Sequence, residues 1–216
     1  MMTVVEAREL AFHAGSRTLW SNLDIHLNAG ERLAVAGPSG SGKTLLLRVL
    51  AGLEPVESGQ ILLEGRPLAD WPMPEYRRRI LYVQQKPAFR EGTVQDAIEA
   101  PFRFRVHGGR TPPLDEIRIH LEALGRGDAF LAEKTEHLSG GELQIVAVLR
   151  ALAIGPSVLL LDEPTASLDA EAVHGVEMLV GRWLEADSAH ATVWTSHDVM
   201  QLERVSDSIL TLGREP

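Results

Sequence analysis

Three short stretches hold most of the residues able to do chemistry. Gly37-Pro38-Ser39-Gly40-Ser41-Gly42-Lys43-Thr44 matches G-x-x-x-x-G-K-[ST] at every position. Its glycines let the backbone wrap closely around phosphates with N–H groups turned inward. Lys43 supplies a compact positive charge for β- and γ-phosphates, and Thr44 a hydroxyl for Mg²⁺. Average residue usage makes the pattern a chance event in about one chain in a hundred of this size. Here it also joins an apolar run, 32–37, to a helical pattern at 43–51. It reads as a nucleoside triphosphate site rather than an incidental glycine turn.

The second stretch, Val158 through Leu161, is a strand apolar on both faces that ends in Asp162-Glu163-Pro164. Carboxylates gain nothing inside such a strand, so they belong at its carboxyl end, where open α/β sheets bind ligands. Asp162 is placed to hold Mg²⁺, directly or through water. Glu163 then faces the γ-phosphate as general base for an attacking water. The third stretch, Leu138-Ser139-Gly140-Gly141-Glu142, opens a long apolar helix with paired glycines, a second anion cradle.

The elements that must position these groups follow from periodicity. Residues 3–12 and 17–27 alternate around a Gly15-Ser16 turn and predict antiparallel strands. Further strands are expected at 32–37, 60–65, 80–85, 158–162, 192–196 and 208–212. Helices are expected at 43–51, 140–154, 170–186 and 198–204. A proline-rich loop containing Arg77-Arg78-Arg79 separates the strands at 60–65 and 80–85, and 94–100, 114–124 and 127–133 form a helical block. Strand–helix alternation on both sides of that block predicts an α/β fold: a mostly parallel core, an N-terminal antiparallel β subdomain and a helical insertion. The expected organisation is one domain over 1–216, with 1–85 and 145–216 as core and 86–144 as insertion.

Composition narrows the function classes. The 216 residues carry a net charge of −9, which disfavours broad attraction to nucleic acid or an anionic membrane. With no cysteines, disulfides, thiolate metal sites and thiol nucleophiles are excluded together. No leader is expected from MMTVVEAREL, and no apolar run is long enough to span a bilayer. His13, His26, His107, His120, His137, His174 and His190 lack metal-ligand spacing and are expected to face solvent.

Together the three stretches resemble the ATP-binding subunit of an ABC transporter, over essentially the whole chain. The resemblance implies a P-loop NTPase, RecA-like core whose cofactors are ATP and Mg²⁺. It implies head-to-tail pairing of two copies, or with a like ATPase subunit, so that each ATP lies between one copy's phosphate loop and the other's Ser139, Gly140 and Gly141. The two cradles would then serve two different nucleotides. Gln85, in Tyr82-Val83-Gln84-Gln85, is implied to sense Mg²⁺ and the attacking water, with Gln84 the less favoured neighbour. Asp169 is implied at the paired interface and nucleotide, and His197 at the γ-phosphate. Two positions depart from the family pattern. Ala14 stands where an aromatic usually stacks on adenine, leaving Phe12, His13 or neither, and Ile145 stands where arginine is common.

The resemblance further implies a transmembrane permease docking on the helical insertion, where Phe89 to Arg105 interleaves aromatics and arginines, at the cytoplasmic face of the inner membrane. Neither direct nucleic-acid contact nor lipid insertion is expected. The short ATPases of bacterial iron-efflux systems are the most similar subgroup, and haem exporters the alternative. An end at Pro216 implies no C-terminal regulatory domain. The rival classes are a soluble ABC ATPase acting on nucleic acid or ribosomes, and a P-loop kinase or GTPase, which has no use for Leu138 to Glu142.

Overall fold

The structure is a computed structural model, and it describes residues 2–213. The expectation attached to Pro216 lies outside the described residues.

Two sheets build the molecule. Strands β1 (Thr3–Ala14), β2 (Arg17–Asn28), β4 (Ser58–Leu63) and β5 (Arg66–Pro67) form an antiparallel sheet in the order β2-β1-β4-β5. Strands β3 (Arg32–Ala36), β6 (Ile80–Val83), β7 (Val158–Asp162), β8 (Ala191–Thr195) and β9 (Ser208–Thr211) form a parallel sheet in the order β6-β7-β8-β3-β9. The central strands β7 and β8 are buried at every position, as strands covered on both faces must be. Alternate side chains of the parallel sheet feed two cores. Leu160 and Val193 join the antiparallel sheet and helix α1 (Lys43–Leu50), whereas Leu159, Leu161 and Trp194 join the helical side.

Helix α5 (Gly140–Ile154) occupies the middle of that second core. It packs against α3 (Val94–Glu99), α4 (Leu114–Ala123) and α6 (Ala170–Ala186), while α7 (Val199–Val205) leads into β9. The expected seam between 144 and 145 falls inside α5, one continuous helix. Ser139 and Glu142 form a reciprocal capping box that fixes where it starts, with the Ser139 hydroxyl and the Glu142 backbone N–H 3.2 Å apart. Arg126 holds the same glutamate at 2.9 Å.

Three expectations need correction. The proline-rich stretch before β6 contains a helix, α2 (Met73–Arg79), with proline in its first turn where its missing N–H costs nothing. The block at 127–133 is a 3₁₀ turn, Asp128–Ala132, not an α-helix. His107 does not face solvent: it is 6% exposed and lies against Phe102. His120 and His190 are half-buried, the latter stacked on Trp183 at 3.9 Å. No helix among the described residues is long and apolar enough to cross a membrane.

Fully buried Tyr76 anchors α2 through its hydroxyl, which donates to the Leu50 carbonyl at 2.6 Å, and burial pushes that phenol's pKa up. Tyr76→Phe leaves a buried carbonyl without this donor and is expected to lower stability by about 1–3 kcal/mol, read as a lower urea midpoint.

Candidate nucleotide site

The phosphate loop follows β3 directly, and its shape demands glycine. Gly40 and Gly42 have φ of 77° and 94°, in the left-handed region. A Cβ on Gly42 would lie 2.8 Å from the indole Nε1 of Trp20 beneath it. Lys43 is buried, and its ammonium donates to the carbonyls of Gly37 at 2.8 Å and Pro38 at 3.2 Å. The Ser41 hydroxyl is buried without a partner.

Beside the loop, strand register brings the acids into place. Asp162 ends β7 opposite Thr195 of β8, whose hydroxyl donates to it at 2.9 Å. Thr44 donates to the same oxygen at 3.1 Å, and Tyr82 to the other at 2.8 Å. Burial, then the bond to Asp162, pushes the Tyr82 phenol's pKa up, so it remains a donor. Asp162 is 1% exposed and, among the described residues, no ion pair reaches it. Buried charges pair with cations or bind metals. The Asp162 carboxylate and the Thr44 hydroxyl bonded to it, with the Gln85 side-chain oxygen in the cavity that Thr44 also lines, offer oxygen donors of the kind Mg²⁺ takes, and this ion usually uses one or two carboxylates plus phosphate oxygens. The residues fit that ion.

Glu163 comes next and is 9% exposed. Its φ of 47° is unusual for a residue with a Cβ, and such strain persists where the surroundings hold it. Its backbone N–H donates to the hydroxyl of Thr195 at 3.1 Å and to its carbonyl at 3.2 Å. One carboxylate oxygen accepts from the Gln85 amide at 2.7 Å, and the other lies 2.7 Å from His197 Nε2.

A cavity of about 560 Å³ brings together Ser39, Gly40, Gly42, Lys43, Thr44, Gln85, Glu163 and His197, and Leu19, Leu45 and Arg48 also line it. Gly37, Pro38 and Ser41 form the rest of the loop behind it, and Asp162 lies beneath, bonded to Thr44. Ser139, Gly140, Gly141 and Asp169 are outside. Ser139 caps α5 and Asp169 caps α6, accepting from Ala172 N–H at 2.9 Å. Gln84 is exposed and does not line the cavity. Phe12 packs on Trp20, with ring centroids 5.6 Å apart, and exposed His13 lies beside Glu57. Neither lines the cavity. Ile145 is buried in the helical core. Tyr82, Thr195 and Gln144 were missed from sequence. Thr195 carried a usable signal, since it is the polar residue that sheet register sets opposite Asp162.

A phosphate loop, a Mg²⁺-suited aspartate and a poised glutamate at the carboxyl ends of a parallel sheet define a P-loop nucleoside triphosphatase fold. The chain belongs to the ABC transporter family, whose model matches residues 20–166, and it is a nucleotide-binding domain of that family. A sulfate/thiosulfate import ATP-binding protein of Methylococcus capsulatus is 39% identical, over 97% of this chain and 60% of that protein. The chain therefore spans about 60% of the length of that relative. A probable iron export ATP-binding protein of Escherichia coli is 32% identical over 97% of this chain and 91% of its own length. Among solved structures, the dimeric cassette MJ0796 in a post-hydrolysis state with ADP and Pi superposes with TM-score 0.81 at 26% identity, covering 96% of this chain and 94% of that one. The parallel core, antiparallel sheet and helical block expected from sequence agree with this fold.

Gly42→Ala places a Cβ in left-handed backbone and against Trp20. The substituted loop sheds about 1–2 kcal/mol of strain by leaving this shape and must regain it to cradle phosphate, so ATP affinity is expected to fall about tenfold in a fluorescent-nucleotide titration.

Proposed function

We propose that this chain binds and hydrolyses Mg-ATP as one of two paired copies and drives a separate membrane permease. The observation that carries the proposal is the Glu163 carboxylate, held between Gln85 and His197 at the mouth of the phosphate-loop cavity. Thr44, Asp162 and Gln85 would hold Mg²⁺, which supplies charge neutralisation at the β- and γ-phosphate oxygens when bound.

The chain's own groups then divide the work. Lys43 exchanges its loop carbonyls for phosphate oxygens, and the loop amides cradle the triphosphate. Glu163 accepts a proton from water as the water oxygen bonds to the γ-phosphorus. The bond to the β-bridging oxygen breaks, and its electron pair leaves with ADP. Gln85 and His197 aim the carboxylate, and His197 also faces the γ-phosphate. Ser139, Gly140 and Gly141 complete the site of the other copy from the positive end of α5, with Asp169 at the same interface. The exposure of Ser139, Gly140 and Asp169 outside this chain's own cavity supports sharing.

For the permease, a groove of about 580 Å³ between α2 and the helical block has a nearly apolar lining that includes Pro74, Leu81 and Phe104, with Arg77 and Arg105 beside them. Phe104 is 68% exposed. A large apolar side chain held in water beside arginines suits docking of an amphipathic protein segment better than nucleic acid on a chain of net charge −9. The chain would then sit peripherally at the cytoplasmic face of the inner membrane. The cargo reading is export of iron or another metal, supported by the relative that this chain covers over 91% of its length. The 39% identity to the sulfate/thiosulfate protein favours import of a small anion as the second reading. The proposed division is a core of 1–85 and 145–216 with an insertion at 86–144, its second boundary crossing the continuous helix α5.

Glu163→Gln is expected to cut phosphate release at least ~100-fold while ATP binding persists and a dimer accumulates on size exclusion. Retained turnover would remove Glu163 from the role of base. Mixing Ser139→Arg with Lys43→Ala chains is expected to restore one unblemished composite site and thus measurable ATPase activity. No recovery from two folded, pairing variants would refute sharing. Phe104→Asp with Arg105→Glu is expected to abolish capture of the permease from detergent-solubilised membranes while sparing ATP turnover of the isolated chain. Undiminished capture would move the docking surface elsewhere.

A further inference from the structure

Gln144 sits inside α5, five residues beyond the Ser139 cap, and is 0% exposed. Its amide Nε2 donates to the Glu163 carbonyl at 2.8 Å and lies 3.3 Å from the Gln85 carbonyl. One side chain therefore grips the backbone of both residues that meet at the catalytic carboxylate. Its own Oε1 is buried without a partner. An apolar residue would avoid the cost of that orphan acceptor, so burial alone does not account for glutamine here.

A second contact ties the same helix to the same loop. Gly141 is packed so closely on the segment after Glu163 that a Cβ there would lie 2.6 Å from the Ser167 carbonyl. The loop from Glu163 to Asp169 is thus clamped at two points by α5, at Glu163 through Gln144 and at Ser167 through Gly141. Ser139 caps α5 and Gly140 and Gly141 open it, and these three residues would meet the nucleotide held by the other copy. Glu163, at the far clamp, stands in a strained left-handed conformation that small backbone shifts can re-aim.

We infer that Gln144 is a positioning residue linking the two composite sites: engagement of Ser139 to Gly141 on the partner's nucleotide moves α5, and Gln144 carries that movement to Glu163 and Gln85 of its own chain. The inference rests on the paired arrangement proposed above. Coupling of this kind needs an element that both sites bias, and α5 with its two clamps supplies one. Each site then reaches full activity only when the other is occupied, and hydrolysis is cooperative in ATP.

The test uses the full chain and ATP itself. Gln144→Met keeps the volume and removes both donors. Relative to wild type, it is expected to bind ATP within about threefold while kcat falls about tenfold or more. The Hill coefficient for phosphate release is expected to drop from near two, the number of sites in a dimer, to about one. A merely structural glutamine would lower thermal stability without changing kcat per folded molecule or the Hill coefficient, and that result overturns the inference. Should Gln144→Met fail to fold, Gln144→Asn keeps an amide too short to span both carbonyls and is judged on the same readouts. A wild-type chain without ATPase activity would sink the proposed function itself. An active wild type with a Hill coefficient of one would sink only the coupling.

Discussion

A carboxylate buried at the end of a parallel strand governs this molecule. Asp162 is out of water, and its donors are three neutral hydroxyls from Thr44, Tyr82 and Thr195. Hydroxyls orient a negative charge but do not cancel it, so a bound cation would complete the balance of charge that the chain itself leaves open. Each donor comes from a different element: the phosphate-loop helix, the β6 strand and the β8 strand. The sheet order β6-β7-β8-β3 makes this convergence possible, since it sets β7 between the strands carrying Tyr82 and Thr195.

The neighbouring glutamate obeys a different rule. Asp162 lies within regular strand, whereas Glu163 turns out of it at positive φ and meets Gln85 and His197. Two adjacent acids thus face separate partners because the backbone changes direction between them. Holding that turn takes Thr195 at the amide and Gln144 at the carbonyl.

Much of this was legible beforehand, for physical reasons. The phosphate loop needs particular residues in sequence order, so Gly37 to Thr44 announces itself, and β7 is apolar enough that its terminal acids stand out. The supporting groups were hidden because they are neighbours only in space. Tyr82 reads as an ordinary strand aromatic until β6 pairs with β7, and Gln144 reads as one polar position on a helix until α5 is seen against the loop. Helix α2 was hidden by its prolines, which break a helix interior but suit a first turn. His107 was misplaced because residue type argued for water while Phe102 and the surrounding turn cover it.

The pairing of β3 with β8 and β9 has one more consequence, for the order in which the chain comes together. Arg32 pairs with Thr192 and Leu33 with Ser208, so the strand that presents the phosphate loop finds its neighbours only near the far end of the chain. The hairpin of β1 and β2 closes locally and can form as soon as it is made. A polypeptide emerging from the ribosome therefore displays its glycine loop long before the sheet beneath it is complete. The sheet under the phosphate loop is complete only once residues near both ends of the chain have come together.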